Sequence, residues 1–192
     1  MKGTVHYEVR DGVALLTVDN PPVNPLSEGV RNGLYEGIAK AEADSEVVGV
    51  VLTGKGRAFI AGADISEFGG NPSGHSLNEV FRSLEYCSKP LVAAINGITL
   101  GGGLETALCC NYRIASKEAF VGLPEVNLGL LPGGGGTQRL PRLVGIEKSL
   151  KMITSGNPIN AQKALKYGLI SEVYENNLIE NAKSFILKKL SI

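Results

Sequence analysis

Glycine clusters that follow apolar runs constrain the fold of this chain more than any other feature of its sequence. The 192 residues include 25 glycines, nearly twice the average share of roughly 7%. They are concentrated at Gly101–Gly103 and Gly133–Gly136. A collagen-like rod is excluded because no triplet repeat exists, and the many aliphatic runs argue against disorder. Inside a globular chain, such clusters indicate tight turns or backbone that comes close to a ligand.

Length and charge exclude several classes of protein. A chain of 192 residues is long enough for one domain with its own core and short for two. Nineteen basic and nineteen acidic residues cancel, so the chain lacks the basic excess of a dedicated nucleic-acid binder. The first eight residues have no apolar run of the secretory-signal kind. The most apolar long stretch, Leu91–Cys110, is broken by Asn96, Glu105 and four glycines, so it is a poor membrane span.

The cysteines and histidines do not predict a metal or nucleophile site. Cys87, Cys109 and Cys110 have neither metal-ligand nor CxxC spacing, which favours reduced structural thiols in a cytosol-like compartment. His6 and His75 each stand alone in the sequence. The sequence therefore predicts no metal site and argues against catalysis by histidine.

Strands alternating with helices predict an α/β domain. Val5–Val9 and Val13–Val18 are predicted to form a hairpin across Asp11-Gly12, and Ser27 is the predicted N-cap of a helix that ends near Ala43. A loop rich in glycine is predicted over 56–70 and continues to about Gly74. The other predicted strands are Val47–Leu52, Leu91–Ile95, Tyr112–Ala115 and Ala119–Val121, and the other predicted helices are Leu77–Tyr86, Leu104–Cys110, Gln138–Leu143, Glu147–Thr154, Ala161–Tyr167 and Leu178–Leu190.

The glycine clusters do not fit the common phosphate-binding templates. A GxGxxG motif that starts at Gly101 needs glycine where Thr106 stands. The Gly133–Gly136 run leads into Thr137-Gln138, without the Lys-Ser/Thr pair of a P-loop. These mismatches argue against nucleotide binding by either motif.

A glycine run directly before a helix also suits an oxyanion hole. The first N–H groups of a helix lack intrahelical acceptors and lie at the positive end of its dipole. With no side chains in the way at Gly101–Gly103, a ligand carbonyl oxygen can reach them. A second donor could come from the small-residue turn Phe59–Asp64, which follows a buried strand. The alternative is that both turns serve packing alone.

Two carboxylates accompany the glycine loops. Glu105 lies in the first turn of the predicted helix, and Glu125 lies twenty residues further on, between apolar stretches. Apolar surroundings raise a carboxyl pKa toward the range useful for proton transfer, and two such groups can hold one water molecule. The alternatives are a helix N-terminal charge, worth roughly 0.3–1 kcal/mol, for Glu105 and a solvated turn residue for Glu125.

Three blocks together resemble the crotonase family of enoyl-CoA hydratases and isomerases. They are Ala61–Ile65, the stretch from Asn96-Gly97 to Glu105, and the stretch from Pro124-Glu125 to Leu140. Within the family, Gly122–Val126 is most similar to the hydratase domain of the peroxisomal type of bifunctional hydratase/dehydrogenase. The resemblance implies a ClpP-like superhelix of ββα units, trimers or dimers of trimers, and no metal or redox cofactor, because coenzyme A is part of the substrate.

The resemblance also implies roles for individual residues. The N–H groups of Ala63 and Gly102 match the family's oxyanion hole. Glu105 matches the carboxylate that assists water addition at the β-carbon, and Glu125 matches the carboxylate that exchanges the α-proton. The residues implied to bind the acyl-CoA substrate are Ala61, Gly62, Asp64, Ile65, Gly101, Gly122, Pro124, Pro132 and Gly133, of which Ala61, Gly62 and Ile65 match the stretch near the adenine.

Three functions remain open from the sequence. Hydration of a 2-enoyl-CoA is the leading prediction because both glutamates are present, and Δ3-Δ2 isomerisation, which needs mainly Glu125, is the alternative. A third possibility is a weakly active core fragment with a role in assembly. Its basis is that stand-alone members carry further C-terminal helices and bifunctional members a dehydrogenase domain, so residues 1–192 match a single core domain that lacks the usual C-terminal helical subdomain. We expect an intracellular protein, cytoplasmic or, as part of a bifunctional chain, peroxisomal.

Overall fold

The chain opens with the predicted hairpin, seen in a computed structural model that describes residues 3–67 and 73–190. Strand β1 (Thr4–Arg10) pairs antiparallel with β2 (Val13–Asp19). Asp11 and Gly12 between them have φ values of 53° and 75°. Two consecutive left-handed residues give the backbone twist that a tight two-residue hairpin requires, which explains the Asp-Gly pair at the turn.

The chain then repeats a strand–strand–helix unit. Helix α1 (Glu28–Ala43) completes the first unit. The next three units are β3 (Gly49–Gly54), β4 (Ala58–Ile60) and α2 (Leu77–Glu85); β5 (Leu91–Ile95), β6 (Ile98–Leu100) and α3 (Gly102–Cys109); and β7 (Tyr112–Ser116), β8 (Phe120–Gly122) and α4 (Gly136–Val144). The last described elements are α5 (Ile146–Ser155), β9 (Ile159–Asn160), α6 (Ala161–Tyr167), β10 (Glu172–Tyr174) and α7 (Leu178–Leu190).

The repeat builds two sheets at once. The larger sheet has the order β1-β2-β3-β5-β7-β10, and the smaller one has the order β4-β6-β8-β9. After the first unit, the first strand of each unit therefore joins the larger sheet and the second strand joins the smaller one. The β4-β6-β8 neighbours are parallel, and β9 is antiparallel to β8. This arrangement confirms the expected α/β superhelix of ββα units, as opposed to a single flat sheet.

The larger sheet is covered on both faces. Along β2, Ala14, Leu16 and Val18 pack into the main core with α1 and α2, while Val13 and Leu15 point the other way into a second cluster. That second cluster is closed by α7 through residues such as Phe185 and Ile186. Burial on both faces explains why β3 and β5 contain continuous apolar runs without polar alternation.

Some predicted boundaries were wrong. The predicted loop 56–70 contains β4 and a 3-10 turn at Ile65–Glu67, while its residues 68–70 lie outside the described part of the chain. Strands β6, β9 and β10 were not predicted either, and α3 begins at Gly102, two residues before the predicted start. Strands of two or three residues are too short to show the two-residue alternation that reveals longer ones.

Helix α1 begins after the predicted N-cap residue, Ser27, but the Ser27 side chain does not cap the helix. Ser27 has the extended backbone of an N-cap residue, yet its side chain makes no capping hydrogen bond to the helix. Its hydroxyl oxygen accepts a hydrogen bond from Asn20 Nδ2 at 3.0 Å.

Across residues 3–67 and 73–190, no helix combines the length and the apolar character needed to cross a bilayer.

Candidate active site

The candidate site lies where the parallel strands of the smaller sheet end. The segment Ala61–Ala63 follows β4, Gly101 follows β6, and Pro124 and Glu125 come soon after β8. Gly101 N–H donates to the Gly122 carbonyl at 2.9 Å, which ties the ends of β6 and β8 together. Because the carboxyl ends of parallel strands share one edge of a sheet, they form a crevice there that ligands commonly occupy.

Two backbone amides meet at this edge. A Cβ built on Gly102 would lie 3.6 Å from the Ala63 nitrogen, which places the start of α3 directly beside the turn after β4. That turn is held by Leu26 N–H, which donates to the Gly62 carbonyl at 2.9 Å. Within the described ranges, neither the Ala63 nor the Gly102 N–H has a backbone or side-chain acceptor. Both donors are therefore available to a ligand oxygen.

Gly103 allows the helix to approach the strand so closely. A Cβ at this position would lie 1.9 Å from the carbonyl oxygen of Ile60, at the end of β4. Real Cβ atoms do not come this close to a backbone oxygen, so a larger residue has to push α3 away from β4. The glycine run thus sets the distance between the two halves of the site.

Glu105 is buried on the first turn of α3. The residue is only 3% exposed, and its Oε1 accepts a hydrogen bond from the Gly136 N–H at 2.8 Å. Burial raises the pKa of Glu105, while the N–H groups of Gly136 and Gly134 and the charge of Arg139 oppose the rise. The carboxyl group is therefore oriented by the second glycine loop and shifted toward the protonated form.

Glu125 faces the same region from the 3-10 turn Glu125–Leu128. A Cβ on Gly101 would lie 3.1 Å from its Oε1, and its Oε2 is buried with no hydrogen-bond partner among the described residues. Burial raises the pKa of Glu125, and the negative charge of Glu105 raises it further. The two carboxyl groups therefore interact, and protonation of one favours ionisation of the other.

A cavity of about 310 Å³ brings these groups together. The predicted site residues that line it are Ala61, Gly62, Ala63, Ile65, Gly101, Gly102, Glu105, Pro124, Glu125 and Gly133. Sequence reasoning missed five lining residues, which are Leu77, Leu128, Leu130, Leu131 and Gly134. A cluster of leucines directly before the second glycine loop is the signal that could have indicated an apolar wall.

Three predicted site residues lie outside this cavity. Asp64 lines a neighbouring space of about 400 Å³, and its Oδ1 accepts hydrogen bonds from the Ser66 N–H at 3.0 Å and the Ser66 hydroxyl at 2.7 Å. Gly122 contributes its carbonyl to Gly101. A Cβ on Gly136 would lie 3.0 Å from Pro132 Cβ, so Pro132 packs against the loop that binds Glu105. Substrate binding by these three residues stays a prediction.

The thiols near the site are unreactive in character. Cys109 and Cys110 are buried, and all three cysteines are free. Burial raises the pKa of the Cys109 thiol to about 12. Among the residues that the structure describes, no group of three or more His, Cys, Asp or Glu side chains could hold a metal ion.

Glu125→Gln is expected to raise the midpoint of thermal unfolding at about pH 8 and to lose this advantage as the pH falls toward about 4. The reason is the raised folded-state pKa of Glu125, caused first by burial. A carboxyl group of this kind favours the folded state below its unfolded pKa, and the contribution is lost as the pH rises through its folded pKa. Thermal unfolding followed by circular dichroism measures the difference. An equal midpoint shift at both pH values would contradict the assignment.

Comparison with known proteins identifies similar sequences along almost the whole chain. The profile of the enoyl-CoA hydratase/isomerase family matches residues 8–191. The peroxisomal bifunctional enzyme of Danio rerio is 50% identical over 183 residues, which cover 95% of this chain and 26% of that protein. A probable enoyl-CoA hydratase of Bacillus subtilis is 45% identical over 185 residues, covering 92% of this chain and 72% of its own length.

Solved structures agree with the sequence matches. A crystal structure of an enoyl-CoA hydratase from Bacillus anthracis has a TM-score of 0.90 and 34% identity, with 100% of this chain and 78% of that chain covered. The chain thus spans about a quarter of the length of the bifunctional relatives and about three quarters of the stand-alone ones.

Proposed function

Because the chain belongs to the enoyl-CoA hydratase/isomerase family, also called the crotonase family, we propose that it adds water across the 2,3 double bond of a 2-enoyl-CoA thioester. Relatives named as enoyl-CoA hydratases support this activity, among them the Bacillus subtilis protein and a short-chain-enoyl-CoA hydratase of Clostridium acetobutylicum that is 44% identical. The observation that carries the proposal is the meeting of two carboxyl groups and two available amides around one cavity.

In the proposed complex, the thioester carbonyl oxygen accepts hydrogen bonds from the Ala63 and Gly102 amides. Negative charge develops on this oxygen as the β-carbon is attacked, and fixed N–H donors stabilise it without rearranging. The Gly102 amide is the first of α3, so the positive end of the helix dipole adds to the stabilisation. Removal of one such donor typically costs about 10²–10³-fold in rate.

The two glutamates divide the proton transfers. As the water oxygen bonds to the β-carbon, Glu105 in its ionised form accepts a proton from that water, and the electron pair of the double bond moves toward the thioester oxygen. Glu125 in its protonated form then donates a proton to the α-carbon, which returns the electron pair to carbon. Burial raises the pKa of both carboxyl groups, so the division is supported by their different partners. The Gly136 and Gly134 N–H groups and the charge of Arg139 favour ionised Glu105, and the negative charge of Glu105 favours protonated Glu125.

The cavity limits which part of the substrate is enclosed. At about 310 Å³ it lies at the lower end of the range for ligand sites, roughly 300–1,000 Å³, so the thioester end enters and most of coenzyme A stays outside. We assign Ala61, Gly62 and Ile65 to contacts with the coenzyme and the leucine wall at Leu128–Leu131 to contacts with apolar parts of the substrate. Chemistry of this kind uses the protein's own groups and needs no separate cofactor.

Isomerisation of a 3-enoyl-CoA to a 2-enoyl-CoA is a second candidate. It requires one group that removes a proton from the α-carbon and returns it at the γ-carbon. The buried Oε2 of Glu125, which has no hydrogen-bond partner among the described residues, supports such a role. The same amides would stabilise the enolate in this reaction as well.

The test is direct turnover by the purified chain. Hydration of crotonyl-CoA removes the ultraviolet absorbance of the conjugated thioester, and we expect this loss with the wild-type chain and not with a Glu105→Gln/Glu125→Gln control. Absence of turnover by folded wild-type protein would contradict the proposal.

Sizing the same sample tests the trimer or hexamer implied by the family resemblance and shows whether residues 1–192 behave as one core domain. Relatives include both peroxisomal and bacterial proteins, so the compartment stays a prediction.

A further inference from the structure

An arginine on α4 links the second glycine loop to a different helix. Arg139 Nη1 donates to the Gly134 carbonyl at 2.7 Å. Its Nε and Nη2 donate to Glu85 Oε1 at 3.1 Å and Oε2 at 2.7 Å, at the C-terminal end of α2. Because a guanidinium group is planar and its donors form a rigid fork, these three bonds fix its plane.

The peptide that Arg139 holds belongs to the loop that orients Glu105. The Gly136 N–H donates to Glu105 Oε1 at 2.8 Å, and a Cβ on Gly134 would lie 2.5 Å from Glu105 Oε2. The loop therefore contacts both carboxyl oxygens of Glu105, while Arg139 binds the Gly134 carbonyl of the same loop. A shift of the 134–136 backbone would move the donors that set the direction of the Glu105 carboxyl group.

We propose that Arg139 is a positioning residue for hydration, which holds the 134–136 backbone against Glu105 and is itself held by Glu85. This inference rests on the proposed function of Glu105. Arg139 does not line the cavity that contains the two glutamates, so it acts through the loop and not by contact with substrate.

The charges around Glu105 give this role a measurable consequence. Arg139 faces Glu105 from α4, Glu125 faces it from the 3-10 turn, and Cys109 is the nearby titratable group on its own helix. Arg139 opposes the burial that raises the pKa of Glu105. Loss of the guanidinium group should therefore raise that pKa further. Since Glu105 works in its ionised form, the acidic limb of the pH–rate profile should then move to higher pH.

The test compares Arg139→Met with Arg142→Met. Arg142 lies on the same helix, and among the described residues its guanidinium hydrogen-bonds to the Gln138 carbonyl and not to the 134–136 backbone. For Arg139→Met we expect kcat for crotonyl-CoA to fall by about 10–100-fold, as for other small misplacements of a reacting group. KM should stay within about threefold and the acidic limb should move to higher pH. Arg142→Met should leave kcat and the limb unchanged.

A lysine variant separates charge from geometry. Arg139→Lys keeps the positive charge but lacks the planar fork, so it cannot bind Gly134 and both Glu85 oxygens in the same way. The acidic limb should return toward its wild-type position while kcat stays below the wild-type value. If the lysine variant had the full wild-type kcat, charge alone would account for the effect and the positioning role would be wrong.

A readout without turnover keeps this inference separate from the proposed function. Carbon-13 NMR titration, with the Glu105 signal assigned by its loss in Glu105→Gln, reports the pKa of Glu105 directly. It should rise in Arg139→Met and not in Arg142→Met, whether or not the chain hydrates crotonyl-CoA.

If Arg139→Met fails to fold, Glu85→Gln serves instead. It loosens the guanidinium group, so kcat should fall by about threefold or more, while removal of a negative charge should not raise the Glu105 pKa. Unchanged kcat and Glu105 pKa in the folded variants would overturn the proposal.

Discussion

Glu105→Gln is expected to lower the rate of crotonyl-CoA hydration by about 10³-fold, within the range of roughly 10²–10⁴ for loss of a general acid or base. Glutamine has the same shape, and its carbonyl oxygen can still accept the Gly136 hydrogen bond that Glu105 accepts at 2.8 Å. It cannot accept a proton from water. Isomerisation of a 3-enoyl-CoA, assayed in parallel, should stay within about tenfold of the wild-type rate, because that reaction moves a proton through Glu125.

The matched control is Glu125→Gln, which should lower both reactions. Glu125 lines the same cavity, and both proposed mechanisms assign it the proton exchange at the α-carbon. If hydration survived Glu105→Gln, the roles assigned to the two carboxyl groups would be wrong. If Glu105→Gln abolished isomerisation too, the pair would have to act together in both reactions.

Gly103→Ala is expected to reduce the free energy of unfolding by about 3 kcal/mol, at the upper end of the usual cost of overpacking. The added Cβ would lie 1.9 Å from the Ile60 carbonyl oxygen, and neither partner is a flexible side-chain end. Helix α3 must therefore move away from β4. Because Gly102 is part of that helix and Ala63 follows β4, the two amides should separate, with a further loss of about 10²-fold in hydration rate.

Chemical denaturation and steady-state kinetics on the same preparation measure both effects. Gly133→Ala is a suitable control for stability, since a Cβ there would meet nothing closer than the Leu131 carbonyl oxygen at 3.9 Å. Wild-type stability in Gly103→Ala would show that the helix and strand are less tightly packed than the structure indicates. Wild-type activity in a destabilised Gly103→Ala protein would show that catalysis does not depend on the distance between α3 and β4.

Local sequence signals predicted the elements that are determined by residues close together in the sequence. The Asp11-Gly12 turn predicted the β1-β2 hairpin because only a few residues adopt left-handed backbone without strain. Ser27 marked the start of α1, and the spacing of Val30, Leu34 and Ile38, all buried, is typical of one helix face. These features depend on residues that are neighbours in the sequence, so periodicity and turn chemistry were sufficient.

The elements that were missed depend on partners far away in the sequence. Strands β4 and β6 have three residues each. They are strands because they pair with one another, as Ala58 does with Ile98 and Ile60 with Thr99. A single sequence contains no local mark of such a pairing. The family resemblance gave the correct architecture where residue patterns indicated only an α/β domain.

The candidate site, too, was predicted only in part from the sequence. Glycine loops and apolar surroundings drew attention to Glu105 and Glu125, and the structure places both on one cavity. The Gly136 hydrogen bond to Glu105 and the contact of Arg139 with Gly134 were not predicted. Both depend on how a loop folds back over α3, which no spacing of residue types reveals. The catalytic roles remain predictions that the variants above test.

Both proposed oxyanion donors belong to the main chain, and this affects how the site can change over evolutionary time. Any amino acid except proline supplies an N–H at position 63, so most single-base changes in that codon leave the donor in place. The side chain there can then vary and reshape the cavity mouth without loss of the charge-stabilising group. By contrast, in the proposed mechanism a change at Glu105 or Glu125 removes a reacting group in one step. If these roles are correct, we expect the range of substrates to change through substitutions at position 63, and the type of reaction through substitutions at the two glutamates.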